Sequence, residues 1–224
     1  YPQYGYARAN KLPMTGYFSK SFSVNGQIRT TKIYISPDAP IRSYFTVIAV
    51  PDGIDTEEFL RDSGWIDLTG KKEEGLFILE PGSNGWGSFT AEMEYVKRAM
   101  DFYISNGYFS IFGEHYLVGY GNGAPVLEAW AAANPLKVIS QVYIDSKGLN
   151  ADYLKQFKTM EFGGKNANYL EIKFPEGFKK VTYDEVVLPT WYIHPDKNSI
   201  SDSLNYWKNA NDCVVTPVQD KTFG

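Results

Sequence analysis

The stretch Gly119-Tyr120-Gly121-Asn122-Gly123-Ala124 is the part of this chain whose spacing bears most directly on chemistry. It follows an apolar run at His115–Gly119 and precedes a second one at Pro125–Ala133, so it reads as a sharp turn from strand to helix. Gly119 and Gly123 have the spacing of the outer glycines of G-x-S-x-G, whose small residues let strand and helix approach closely around an exposed nucleophile. Gly121 stands at the nucleophile position, so the turn brings no reactive side chain of its own. Two duller readings compete. A phosphate cradle would need the Lys and Ser/Thr of a P-loop or the spacing of a dinucleotide fingerprint, and neither is present. A merely tight turn would carry no chemistry at all. The place of this turn after the third of a series of parallel strands argues for the elbow.

Other residues that could do chemistry are few. His115 begins the elbow strand, on the order of 15 Å from Gly121 along an extended chain, and reads as a packing or surface residue at the wrong end of the sheet. His194 ends a later strand on the site side. Asp145 also follows a strand on that side, where a carboxylate either serves as a catalytic acid or caps the next turn. No His/Cys/Asp/Glu cluster has metal-ligand spacing, and no cofactor is expected. Cys213 is the only cysteine, so it is a buried thiol or half of a bond to something outside the chain.

The elements that would position these groups alternate. Ser21–Val24 and Ile28–Ile35 flank Asn25-Gly26, a hairpin signal. Tyr44–Val50 is a continuous apolar run stopped by Pro51-Asp52-Gly53, as expected of a strand buried on both faces. Asp55–Leu60 opens a helix with an acidic first turn. Leu76–Glu80 reads as a strand. Thr90–Ser105 is an amphipathic helix with Met93, Val96, Met100 and Ile104 on one side. Val138–Ile144 and Val187–Ile193 read as strands, Tyr153–Phe157 and Ser201–Asn209 as helices. This order predicts an α/β fold: a mostly parallel sheet with helices on both faces and a site at the carboxyl ends of the strands. Residues 1–20 read as a Tyr-rich extension, 21–224 as the domain, and 150–186 as a possible insertion near the site.

Composition sets the outer bounds. With 224 residues the chain can build one sizeable core. A net charge of −4 gives no electrostatic reason to expect nucleic acid, and no apolar run reaches the roughly 20 residues of a membrane span. Tyrosine is abundant, at 17 residues, which fits half-buried packing or a surface that grips a polymer or glycan by stacking. The chain starts at Tyr1 rather than Met, and a removed secretory signal is the expectation.

At this point the sequence resembles a family. Ser63-Gly64-Trp65-Ile66-Asp67-Leu68 followed by Gly75-Leu76-Phe77-Ile78-Leu79-Glu80-Pro81 is similar to a stretch of secreted α/β-hydrolases related to polyhydroxybutyrate depolymerases and to feruloyl and acetylxylan esterases. The elbow is similar to their Gly-Tyr-Ser-Asn-Gly-Ala, one substitution away. Leu188-Pro189-Thr190-Trp191-Tyr192-Ile193-His194 resembles the strand before their triad acid. The resemblance covers roughly residues 20–215 and implies an α/β-hydrolase fold without its last strand and the segment with the triad histidine. It implies a serine at 121 in an active relative, with oxyanion donors in the backbone of Asn122 and of Gly53 and Ile54. It places the acid at Asn198, with Asp196 two residues earlier as the candidate carboxylate. Tyr120 and Trp86 become candidates for lining an acyl or alcohol pocket, unless they pack in the core. His194 would support the loop or approach the pocket. The implied substrate is a small-molecule or polymer ester, met outside the cell. The implied partner is a second chain or C-terminal segment that completes the sheet and supplies the histidine. A natural pseudoenzyme that binds a ligand or glycan on the same fold is the alternative.

Overall fold

The structure, a computed structural model, describes residues 15–37, 39, 45–72, 74–105, 114–158, 161–162, 181–182, 187–214 and 216. Strands β1 (Gly16–Val24) and β2 (Gln27–Ile35) form the predicted hairpin, with β1 starting earlier than the pattern suggests. β3 (Phe45–Ala49) is followed by α1 (Thr56–Asp62), whose N-cap Asp55 accepts the Glu58 N–H at 2.8 Å. A second helix, α2 (Trp65–Lys72), lies where the sequence reading saw only a motif and a short linker. Gly64 at φ +80° turns the chain between the two helices, and Lys71 and Lys72 sit favourably at the end of α2.

β4 (Gly75–Leu79), α3 (Phe89–Ser105), β5 (His115–Tyr120), α4 (Ala124–Ala133) and β6 (Val138–Ile144) then alternate as expected. α5 (Ala151–Lys158) precedes a two-stranded ribbon of β7 (Glu161–Phe162) and β8 (Val181–Thr182). Most of the segment read as an insertion, and the Tyr-rich stretch before residue 15, lie outside the described residues. β9 covers only Thr190–Ile193, shorter than the predicted Val187–Ile193. The Leu188 N–H is taken by the Asn211 side chain at 2.5 Å, and Pro189 has no N–H to give a ladder. α6 (Ser201–Ala210) closes the described fold.

The main sheet has seven strands in the order β1-β2-β4-β3-β5-β6-β9. β1, β2 and β4 pair antiparallel, and β4, β3, β5, β6 and β9 are parallel. On one face, here face A, α3, α4, α5 and α6 bury Val47, Phe77, Leu117 and Tyr143 in the larger core. On the other, face B, α1 and α2 cover Ile48, Val50, Leu76 and Ile78 in a smaller one. Among the described residues nothing pairs with the outer side of β9. The register puts Tyr120, Ile144 and Ile193 side by side on β5, β6 and β9. Gly121, Asp145 and His194 therefore form a row immediately beyond the carboxyl ends of three adjacent strands.

Candidate functional site

The elbow is built as tightly as its glycines imply. β5 ends at Tyr120, Gly121–Gly123 make one turn of 3₁₀ helix, and α4 starts at Ala124 with Pro125 in its first turn. A Cβ at Gly119 would lie 2.6 Å from the Ala124 Cα, and one at Gly123 would lie 2.7 Å from the Val50 carbonyl oxygen. Both flanking glycines are thus required by the contact of strand, helix and neighbouring loop. Gly121 has φ +53°, a left-handed backbone that side chains adopt only with strain, as a nucleophile elbow demands. The nearest atom to a Cβ there would be the Pro51 Cβ at 3.3 Å, so a side chain at 121 needs that proline to yield by a few tenths of an ångström.

The loop after β3 is fastened to the elbow. Asn122 Oδ1 accepts the Asp52 N–H at 3.1 Å, and Asn122 Nδ2 donates to Asp52 Oδ2 in a very short contact. Asp52 Oδ1 accepts the Trp86 N–H at 2.7 Å, and Trp86 Nε1 donates to the Val50 carbonyl at 2.7 Å. Gly85 must be glycine, because a Cβ would come within 2.6 Å of the Asp52 carboxylate. Trp86 leads further back: its ring faces Tyr95 and the Arg29 guanidinium, Arg29 pairs with Glu92, and Glu92 Oε1 accepts the Gly87 N–H at 2.9 Å. Asn122, Gly53 and Ile54, the candidate oxyanion residues, are brought to one place by this clasp. The sequence places Asp52 in the Pro51-Asp52-Gly53 loop at the oxyanion position but does not reveal that its side chain makes the clasp. An Asp-Gly after an apolar strand signals a turn, and the partner 70 residues away leaves no local trace.

The pocket candidates are engaged in packing. Tyr120 accepts the Trp65 Nε1–H at 2.8 Å and meets Phe59 edge to face on face B. Burial raises its phenol pKa, with the Trp65 hydrogen bond opposing. Trp86 is held by the two hydrogen bonds already described.

Beyond β9 the chain is organised around His194. Its Nδ1 accepts the Asp196 N–H at 2.9 Å, and its Nε2 lies 3.7 Å from Asp145 Oδ1. The lone pair a base would use is spent on the loop backbone. Asp145 holds φ +53°, and its N–H donates to the Ile193 carbonyl at 2.9 Å. Asp196 caps a 3₁₀ turn at Lys197–Ile200 by accepting the Asn198 N–H at 2.9 Å, and both Asp196 and Asn198 are exposed. These loop residues are two strands away from Gly121, about 10 Å on backbone spacing. His115 sits at the far end of β5, fully buried against Tyr103. Burial, with Lys137 adding to it, lowers its pKa to about 4. Cys213 is exposed, and no group of three or more potential metal ligands exists among the described residues.

No family model matches the chain, and no curated protein does. Solved structures do. The esterase Est1E from Butyrivibrio proteoclasticus superposes with a TM-score of 0.57 at 9% identity, over 86% of this chain and 85% of that one. Est1E with ferulic acid bound gives a TM-score of 0.55 at 11% identity, over 86% of each chain. A weaker likeness, TM-score 0.45 at 12% identity and 62% of each chain, is to an S-formylglutathione hydrolase from Agrobacterium tumefaciens. At these identities the likeness is one of fold.

Proposed function

We propose that this chain, an α/β-hydrolase by fold, is an esterase-type domain that recognises carboxylic esters but has lost its nucleophile to Gly121. The observation that carries the reading is the elbow: left-handed Gly121 between two glycines that tolerate no Cβ, with the oxyanion loop clasped beside it through Asp52 and Asn122. A tight turn without a catalytic ancestry has no need of a second loop fixed at that spot. Placed for oxyanion binding, the backbone N–H groups of Asn122 and of the Gly53–Ile54 loop would hold an ester carbonyl polarised, a contribution worth about 3–4 kcal/mol per donor where chemistry follows. The ester class is that of polyesters or esterified glycans outside the cell, in keeping with the depolymerase-like motifs and with the ferulic acid bound to Est1E.

Without a side chain at 121 no acyl-enzyme can form, and among the described residues neither histidine offers a free ring nitrogen beside the elbow. Hydrolysis by a triad would need a serine at 121 and a histidine from another segment or a second chain, with Asp196 or the Asn198 position orienting it. A second reading, a natural ligand- or glycan-binding module, is favoured by Pro51, which stands 3.3 Å from the space a side chain at 121 would enter. Hydrolysis of p-nitrophenyl acetate and butyrate separates the two when the protein and its Gly121→Ser form are each assayed together with the segment or chain that supplies the histidine. Activity in the serine form alone supports a disabled esterase. Inactivity in both, with saturable binding of a feruloyl or butyryl ester, supports the binding module. Inactivity with no ester binding sinks both.

A further inference from the structure

The loop between β4 and α3, residues 81–88, holds three glycines in eight residues, so its own chain does little to fix its shape. Its middle nevertheless has to be placed accurately. The Trp86 N–H donates to Asp52 Oδ1 and Trp86 Nε1 to the Val50 carbonyl, both at 2.7 Å. Asp52 in turn grips the Asn122 side chain through its second carboxylate oxygen and its own N–H. The place of Trp86 therefore sets the Asp52 carboxylate, and through it the spacing between the Gly53–Ile54 backbone and the elbow.

Both feet of this loop are held by one buried ion pair. Arg29 on β2 donates through Nη2 to the Glu80 carbonyl at 3.1 Å, where the loop starts. Its Nη1 pairs with Glu92 Oε2 in the first turn of α3. Glu92 Oε1 accepts the Gly87 N–H at 2.9 Å, where the loop ends. Tyr95 braces the first foot: its hydroxyl accepts the Glu80 N–H at 3.1 Å and donates to the Thr30 carbonyl at 2.6 Å. The guanidinium lies 4.1 Å from the Tyr95 ring centroid and 5.5 Å from that of Trp86. The fit is close. A Cβ at Gly87 would stand 3.0 Å from Glu92 Oε1, and one at Gly82 3.4 Å from Arg29 Nε.

Stability alone is a poor explanation for this pair. Each side chain is only 7% exposed, so both charges have lost most of their water. The hydration lost on burying two charges can exceed their mutual attraction, and well-packed apolar residues often serve as well. Arg29 Nε is also buried with no hydrogen-bond partner among the described residues, a further cost. Apolar residues could not supply the fork, in which one planar guanidinium addresses Glu92 and the Glu80 carbonyl together. That fork fixes the loop at both feet, and the path from it to the elbow runs through Gly87, Trp86 and Asp52.

We propose that Arg29 and Glu92 are positioning residues for the oxyanion site. They set the loop at 81–88 so that Trp86 and Asp52 hold the Asn122 backbone and the Gly53–Ile54 backbone at one spacing. What those donors bind rests on the function proposed above. The coupling from Arg29 to Asn122 does not.

The test follows hydrogen exchange by nuclear magnetic resonance in the full 224-residue chain. Arg29→Met combined with Glu92→Leu removes both charges, so neither is left buried alone. Exchange of the Trp86 Nε1–H and the Asp52 N–H should quicken about tenfold or more, as local opening of the loop allows. The Trp207 Nε1–H, held by Glu128 at 3.0 Å on face A, should keep its rate. Equal quickening of all three protons would assign the pair to global stability and overturn the proposal. So would unchanged rates at Trp86 and Asp52. Should the double variant not fold, Arg29→Lys gives the reading, since an ammonium cannot address both acceptors as the fork does. It should quicken the same two protons selectively, and a lack of selective change sinks the proposal. The dissociation constant of ethyl ferulate separates this inference from the proposed function. It should rise about fivefold in the variant whose protons have quickened, because the donors are no longer held at one spacing. An unaltered constant in that variant overturns the positioning role. No binding by the unaltered protein counts against the proposed function alone, and the exchange rates then decide the coupling.

Discussion

The two faces of the sheet are made from the same strands, alternate residues of each, yet they have different fates. On face A, Phe77, Leu117 and Tyr143 have no exposed surface, and Tyr103 of α3 stacks on Phe77 with ring centroids 4.7 Å apart. On face B the burial is as complete over β3 and β4, then fades across β5, β6 and β9 until Trp191 is mostly in solvent. Apolar strands are a statement about what a surface can accept. They do not say that something in the same stretch of chain covers it. Face A is where the fold keeps its stability, and the outer half of face B is where it keeps an option open.

The sharpest break of this contrast is a pair of truncations. Phe77→Ala should cost about 3–5 kcal/mol in urea unfolding, since it removes a fully buried ring from under Tyr103. Val142→Ala, half-buried on the open half of face B, should cost less than about 1 kcal/mol, well short of the loss expected in a sealed core. Equal costs would mean that the two faces are packed alike and the contrast is wrong.

Next in size is the acid response of face A. His115 is buried there, and burial, with Lys137 contributing, lowers its pKa to about 4. The unfolded chain takes up the proton near 6.5, so between about pH 6.5 and pH 4 it holds more protons than the folded one. Stability present above pH 6.5 is therefore lost as the pH falls towards 4, by at most about 3 kcal/mol for this group. Urea midpoints of the protein should decline across that window, and those of His115→Leu should decline much less. Parallel curves for the two proteins would remove His115 from the account.

Glu128 makes the opposite signature from the same face. It is fully buried on α4, where Oε1 accepts Tyr192 Oη–H at 2.5 Å and Trp207 Nε1–H at 3.0 Å. Burial raises its pKa, against the lowering effect of its bonds from Tyr192, Trp207 and Ser203. The folded protein keeps this proton to a higher pH than the unfolded chain does. Its stability contribution is whole below the unfolded value and declines as the pH rises through the folded one. Glu128→Gln keeps the acceptor and abolishes the titration, so the stability of the protein relative to the variant should fall with rising pH. A difference that stays level, or widens the other way, would show that Glu128 is ionised in the fold.

Much of this was legible in the sequence, and the limits are physical. Alternation of period gave the strands β3 to β6 and the helices α3 and α4, because each has enough residues for its pattern to repeat. The elbow was legible because glycines required by close approach cannot be replaced without a visible trace. α2 was missed since its eight residues include Gly70 and an exposed Leu68, which blur the apolar side. The Asp52–Asn122 clasp joins residues far apart in the chain, as does the bond from Asn211 that ends β9 early. No local pattern encodes such pairs. The use of the His194 lone pair is equally invisible, being set by the backbone of a loop.

The smallest expected effect is the one that tests the open face most directly. Trp191→Ser and Ile193→Ser remove large apolar side chains, and in any sealed core each would be severe. Here both side chains are mostly in solvent on a sheet edge that nothing described covers. Each change should therefore move the stability of the isolated chain by no more than about 0.5 kcal/mol in either direction. Any loss would come from contact with Val142 and Ile144, the register neighbours on β6. A cost above about 2 kcal/mol for either would mean that a part of the chain already lies on this surface. In that case the two faces would differ in which residues cover them, and the outer half of face B would belong to the core.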